Sequence, residues 1–474
     1  MANARNKYLA KNVVILALGN FGTKFISFFL VPLYTNILST AEYGTVDLIY
    51  TLGAILVPLL TFNVVESVVR FSMDKDADHQ SIFSFGIAIL GMSFILTALI
   101  MPIMTMIPTV SEFAGYLYAY TVTLAGSQMM LLCLRGQEKL KLYSLGNVIF
   151  SLSVALLNIV FLLGFKWGIQ GYFCAYIISN VIAGAFAFFS GKLYRSISFS
   201  HFDWELGKRM LNFSVYLIPN SLMWWIMNSS DRMMLTMMCG AEANGIFAIS
   251  YKIPTLLSSV TMVFTQAWSY SALRAENDAD RIAYNNQVFS KVVAFVIMAA
   301  SFLLLIIRPF LRIYVQNAYY DAWKYVPCLT IGFVFNTVST FIGTSYHVNK
   351  DSKGVFRSAI CGAVVNVILN IVLIHSIGIM GAAVATAISY IVVFAYRAID
   401  TQKYLPLRIT QKKNIIGLLL VLLMSVSNFA NQPWRSLLLI SSFIMTLLVF
   451  RHDLNDIWSL LVKRFKKGTN KCNC

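Results

Sequence analysis

The sequence predicts an all-α polytopic membrane protein of about 14 transmembrane helices, built as two parallel six-helix repeats (an N-lobe and a C-lobe) plus two extra C-terminal helices. Three observations predict it. Hydrophobic residues make up 58% of the chain and charged residues only 12%, against about 25% charged in a typical soluble domain. Continuous apolar runs of about 20 residues recur, the length a helix needs to cross the hydrocarbon core. A membrane barrel would show alternation over about ten residues instead, and lipid permits no third backbone solution. Finally, Leu-Asn-Ile-Val occurs at 157–160 and again at 369–372. Each copy leads into Gly-Ile-x-Gly and a small-residue run, at 168–179 and 378–389, with six of twelve positions identical. A long internal repeat marks a duplicated unit, and paired repeats are common in transporters.

The apolar runs fall in order at 12–36, 44–69, 82–107, 113–134, 142–164 and 168–190, which make the first copy, residues 1–195. A linker, 196–209, follows. The second copy, 210–400, holds runs at 210–236, 244–272, 288–308, 323–346, 355–374 and 378–398. Runs at 413–430 and 434–451 occupy 401–451, outside the repeat. Residues 452–474 form a tail. The first run is too long for a cleavable signal peptide and contains Lys24. In the tail, Trp458, Leu460, Leu461 and Phe465 alternate with basic residues over 453–467, the pattern of an amphipathic helix lying on an anionic leaflet. Cys472 and Cys474 have no second ligand pair nearby and read as an inert end.

Further matches fill in the repeat. Ala41-Glu42-Tyr43-Gly44 parallels Ala241-Glu242-Ala243-Asn244-Gly245, and Asp76-Ala77-Asp78 parallels Asp278-Ala279-Asp280. The offsets are 200, 202, 212 and 210 across the four matches. They stay in register, as a duplication with small insertions requires. An even number of spans per copy makes the copies parallel, related by an axis along the membrane normal.

The net charge of +17 is not spread evenly. Of 37 Lys and Arg, 29 fall in the termini, loops and span ends on one side, five in the loops and span ends on the other, and three deeper within spans. That asymmetry is the positive-inside pattern, so both termini are expected on the cytoplasmic side of the membrane. It also removes the case for a nucleic-acid partner. There is no G-x-x-x-x-G-K-[ST], G-x-S-x-G or H-E-x-x-H, and no Cys/His ligand set. No metal or cofactor site is expected, and the extramembrane segments are too short for a catalytic domain.

Charged residues inside spans are costly and so point to function. Lys24 lies near the middle of the first run. Glu66 and Arg70 stand four apart on the second, the spacing of a local ion pair. Asp47, Asp231, Arg232 and Lys252 sit at similar depth in the outer half, as a structural network or a cavity wall. Setting aside the Glu66–Arg70 pair, the cations Lys24, Arg232 and Lys252 outnumber Asp47 and Asp231. A slightly basic cavity suits an anionic substrate such as a phosphate or diphosphate.

The stretch 32–44, Pro-Leu-Tyr-Thr-Asn-Ile-Leu-Ser-Thr-Ala-Glu-Tyr-Gly, resembles the first-span signature of bacterial O-antigen-type polysaccharide flippases. Ser230-Asp231-Arg232 with Gly240 and Gly245-Ile-Phe, and the Leu-Asn-Ile-Val…Gly-Ile-x-Gly blocks, resemble the same family. These flippases belong to the multidrug/oligosaccharidyl-lipid/polysaccharide exporter superfamily. The resemblance implies translocation of undecaprenyl-diphosphate-linked oligosaccharide from the inner to the outer leaflet by alternating access of two lobes. It implies that cavity cations, here Lys24, Arg232 and Lys252, hold the diphosphate, with Asp231 orienting Arg232. Its partners would be the lipid-linked oligosaccharide, membrane lipid, and a polysaccharide polymerase and glycosyltransferases. H⁺, Na⁺ or membrane potential remain open as the driving force. The nearest rival is a lipid II flippase of the same superfamily. A cation-coupled multidrug exporter fits less well, since those have twelve spans and acidic cavities. A polymerase would carry a large outer loop that this chain lacks.

Overall fold

The computed structural model describes residues 22–454, apart from 23, 75, 199–202, 259–280, 350, 405 and 410. The repeat match at 278–280, most of the amphipathic segment at 453–467, and Cys472 and Cys474 lie outside the described residues. The described residues are mostly helical, with no strand among them. In order they form α1 (Lys24–Ile37), α2 (Thr40–Leu60), α3 (Val64–Ser72), α4 (His79–Met104), α5 (Ala114–Gly136), α6 (Leu140–Gly164), α7 (Gly168–Ser190), α8 (Trp204–Val215), α9 (Ile218–Cys239) and α10 (Ala241–Lys252). They continue as α11 (Arg281–Tyr314), α12 (Val326–Val348), α13 (Ser352–Ile377), α14 (Ile379–Asp400), α15 (Lys412–Ser427) and α16 (Trp434–Val449).

Among the described residues, nine helices are long and apolar enough to cross a membrane, and α1 and α16 are shorter apolar helices. Some span a membrane's thickness while burying little of themselves. Only 22% of the apolar window of α4 is buried, and Ile95, Leu99, Ile103 and Met106 stand exposed. In lipid such residues need no cover. The protein is an all-α polytopic membrane protein.

Two expected spans are each divided. The run 44–69 becomes α2 and α3, separated at Thr61, Phe62 and Asn63, where Phe62 and Asn63 take φ of 50° and 54°. The run 210–236 straddles α8 and α9, which part at Tyr216 and Leu217. Pro219 stands at the start of α9. It has no N–H to donate and its ring crowds the Val215 carbonyl, a cost that is avoided here because the helix restarts at Ile218.

The chain packs as two compact units. The first comprises Met1–Ala248, Tyr314–Tyr319 and Ile374–Ile379; the second comprises Ile249–Ile313, Tyr320–Leu373 and Met380–Cys474. The core of the first gathers Val64, Val68, Phe83, Met129, Leu134 and Met210 from α3, α4, α5 and α8. Thus α8 and α9, which the repeat assigns to the second copy, pack with the first unit. In the second, Phe289, Ile297, Leu304 and Phe341 meet Met424 and Phe450. The two helices outside the repeat, α15 and α16, are therefore part of that unit's core. Arg308 fastens α15 further: its guanidinium stacks on Trp323, 3.4 Å from the ring centre, and donates to the Asn428 carbonyl.

The duplicated motif has duplicated local geometry. Asn158 and Asn370 are both fully buried. Gly168 and Gly378, ten and eight residues on, take φ of 55° and 58°. Only glycine adopts that region freely, so the same left-handed turn ends the fifth span of each copy.

Candidate functional site

The first unit brings α2 and α9 side by side, and the start of α2 is fixed by its own sequence. The Ser39 hydroxyl accepts the Glu42 N–H at 3.2 Å, and the Glu42 carboxylate accepts the Ser39 N–H at 2.8 Å. This capping box satisfies two otherwise free donors and sets the register of Asp47 two turns later. Arg232 Nη1 donates to Asp47 Oδ1 at 2.9 Å, and each side chain is only 18% exposed. The next residue back, Asp231, is fully buried. Trp225 Nε1 ties the same pair of helices by donating to the Thr51 carbonyl at 2.9 Å, and Asn63 Nδ2, in the break after α2, lies 3.5 Å from Ser221 Oγ on α9.

Near the start of α2, Asn244 Nδ2 donates to the Gly44 carbonyl at 2.8 Å. A Cβ on Gly44 would overlap the Ala241 carbonyl oxygen, and one on Gly245 would overlap the Thr40 carbonyl oxygen. These glycines are equivalent in the repeat, so the two helices cross backbone to backbone through the same residue of each copy. Small residues permit that approach.

A tyrosine wall flanks Asp47. Tyr43 and Tyr50 lie at i−4 and i+3 of it, on one face of α2. The Tyr50 ring sits 4.5 Å from Tyr120 and 4.6 Å from Tyr176, while Tyr34 sits 4.5 Å from Tyr172. Phenols offer both flat apolar faces and hydroxyls. Sequence reasoning weighed charges and passed over these rings. The signal available was the 43, 47, 50 spacing, which is one helical face.

The remaining expected residues are scattered. Lys24 is exposed on α1, and no ion pair involves it among the described residues. Lys252 is the last residue of α10, half-buried, in the second unit. The expected Glu66–Arg70 pair is not formed. Arg70 bonds Asp74 at 2.6 Å instead, and Glu66 is exposed. Glu66 and Arg70 both lie on α3, where the spacing permits the pair, but Asp74 stands four residues beyond Arg70 and takes its guanidinium. One further buried cation stands at the end of a span. Arg397 on α14 is 4% exposed and donates to Ser358 Oγ at 3.0 Å and the Ser339 carbonyl at 3.2 Å, lying over Gly343.

Beside it, the connection before α13 is clamped. Asp351 accepts the Gly354 N–H at 2.9 Å and the Tyr404 hydroxyl at 2.8 Å. The Gly354 N–H, then Tyr404, hold the Asp351 carboxyl below its ordinary value, and the Asp351 carboxylate raises Tyr404. No group of three or more His, Cys, Asp or Glu able to hold a metal exists among the described residues.

These features can be set beside known proteins. The family model described as "Polysaccharide biosynthesis protein" matches residues 9–270. A probable low-salt glycan biosynthesis flippase, Agl15, of Haloferax volcanii is 23% identical over 226 residues, 46% of this chain and 47% of that protein. The lipid II flippase MurJ of Thermosipho africanus is 22% identical over 205 residues, 42% of each. The chain thus spans less than half the length of either relative. Among solved structures, a lipid II flippase MurJ in an inward closed conformation superposes with a TM-score of 0.64 at 15% identity, over 94% of this chain and 99% of that one. An inward-facing multidrug resistance MATE family transporter of the MOP superfamily gives 0.65 at 14% identity, over 82% and 95%. At these identities the structures share a fold. With more than half its residues under the family's model, the chain belongs to the polysaccharide biosynthesis protein family.

Proposed function

We propose that this protein is a flippase that carries undecaprenyl-diphosphate-linked oligosaccharide from the inner to the outer leaflet of the bacterial cytoplasmic membrane, by alternating access. It is a transporter in this reading, with no catalytic chemistry of its own. The observation that carries it is the Asp47–Arg232 pair, held largely out of solvent beside a wall of tyrosines. A buried pair is a poor source of stability compared with apolar packing, so its presence inside two spans favours a functional role. The relatives named as flippases support the substrate class, lipid-linked glycan.

In this reading Lys24, Arg232 and Lys252 hold the diphosphate. Asp47 neutralises Arg232 until an anion competes for it, and Asp231 orients it. Glu66 and Arg70 are supporting groups on α3. The tyrosine faces suit sugar rings. Replacing Lys24 by Ala should abolish surface polysaccharide while the protein still reaches the membrane. Normal polymer display in that variant would remove Lys24 from the site.

The second reading is a lipid II flippase. It is favoured by the 94% coverage of this chain by the MurJ structure, against 82% for the multidrug transporter. Complementation of a strain depleted of its lipid II flippase separates the two: growth assigns the peptidoglycan precursor, and lysis assigns another glycan.

A further inference from the structure

A groove of about 730 Å³ opens on the first unit between α8, α4 and the break that follows α2. It falls within the roughly 300–1,000 Å³ of small-molecule sites. Its lining is graded along α8. Lys208, Arg209 and Asn212 stand toward one end, and Val215, Met92 and Phe62 toward the other. Glu205 also faces it, so the mouth carries two cations against one carboxylate. No ion pair engages Lys208 or Arg209 among the described residues, and both are exposed. From Trp204 to Val215 the helix rises about 16 Å, roughly half the hydrocarbon thickness. Trp204 itself is 66% exposed at the start of α8, as aromatic side chains at a membrane interface are. The groove therefore runs from headgroup level toward the mid-plane, basic outside and apolar within. Among its lining is Phe62, one of two successive non-glycine residues with left-handed φ. Such strain persists only where the surroundings enforce it, and it clusters at ligand sites and switches.

We infer that this groove is the inner-leaflet docking site for the substrate's lipid-diphosphate end, with Lys208 and Arg209 on the phosphates and the first isoprene units along Met92, Val215 and Phe62. The inference rests on the flippase reading and adds a site outside the spans' own charges. Ionised phosphate oxygens and these two cations make charge-assisted bonds, and the apolar half selects a lipid over free diphosphate.

The test is equilibrium binding of undecaprenyl diphosphate to the purified full chain in phosphatidylcholine nanodiscs. Inorganic diphosphate and phosphatidylglycerol serve as competitors. The Lys208→Gln/Arg209→Gln variant should bind at least about tenfold more weakly. Both positions are exposed, so its thermal unfolding should match that of the unchanged protein. Met92→Trp, which fills the apolar half, should weaken undecaprenyl diphosphate while leaving inorganic diphosphate unchanged. Unaltered binding in both variants overturns the groove and leaves the flippase reading standing. Equal displacement by phosphatidylglycerol also overturns it, showing a site for bulk anionic lipid. Failure of the unchanged protein to bind undecaprenyl diphosphate at all overturns both.

Discussion

Asp47 and Arg232 stand 185 positions apart and share one hydrogen bond. Both were visible in the sequence as charges within apolar runs, because a charge there breaks a strong compositional rule. Their pairing was not visible, since nothing local records which helix lies beside which. The tyrosines were hidden for the opposite reason: an aromatic residue in an apolar run breaks no rule. Asp47→Asn leaves the Arg232 charge largely buried with a weaker acceptor, and should cost about 2–3 kcal/mol, read as a lowered unfolding temperature in detergent. Joining it to Arg232→Gln should recover part of that loss, because the stranded charge is gone. Additive losses would show that the two residues are not coupled. Ser67 offers a plainer case. Its hydroxyl donates to the Met210 carbonyl at 2.6 Å, joining α3 to α8. Ser67→Ala should cost about 1 kcal/mol in the same assay.

At the level of elements, the helices were legible and their breaks were not. A hydropathy window counts length and apolarity, and 44–69 satisfies both. Pro58 was in plain view, but proline alone does not predict a break: Pro102 and Pro309 sit inside α4 and α11, which continue through them. What divides α2 from α3 is the left-handed pair Phe62–Asn63; asparagine visits that region more readily than most residues, but Phe62 gives no such hint. The glycine crossing is the most demanding element contact. At Gly44 the obstacle to a Cβ is the Ala241 backbone, which cannot rotate away. Gly44→Ala should therefore force the helices apart at a cost of about 1–3 kcal/mol, measured by thermal unfolding. Gly91, which has open space around it, should accept Ala with no comparable loss. The Asp351 clamp responds to pH. Its folded carboxyl titrates below its unfolded value, about 3.9, so the clamp's contribution is full above that value and fades as pH falls through the lower, folded one. The protection factor of the Gly354 amide against hydrogen exchange, taken relative to its intrinsic rate at each pH, should fall below about pH 4, and Asp351→Asn should lower it at neutral pH.

For the molecule as a whole, the duplication and the packing divide the chain at different places. The repeat changes copy near 195–210, whereas the first compact unit runs to Ala248. Sequence similarity records ancestry, while packing records which apolar faces meet, and α8 and α9 carry ancestry of one kind and contacts of the other. The charge asymmetry makes a prediction at this scale. In a variant without native cysteines, single cysteines introduced near 137, 196 and 353 should react only with membrane-permeant thiol reagents in whole cells. Ones near 166, 318 and 431 should also react with impermeant reagents. The reverse pattern would invert the topology read from the positive residues.

The break at 61–63 also has a mechanical meaning. Beyond it α3 spans nine residues, a rod of about 13 Å. A bend of about 20° at the break, ordinary for a kinked helix, would swing the far end of that rod by about 5 Å. The Asp47–Arg232 pair lies on the other side of the break, at the still end of the lever. The same chain can therefore hold one end of a span rigid at its charges while the other end, with α8 bonded to it through Ser67, shifts by the length of a side chain.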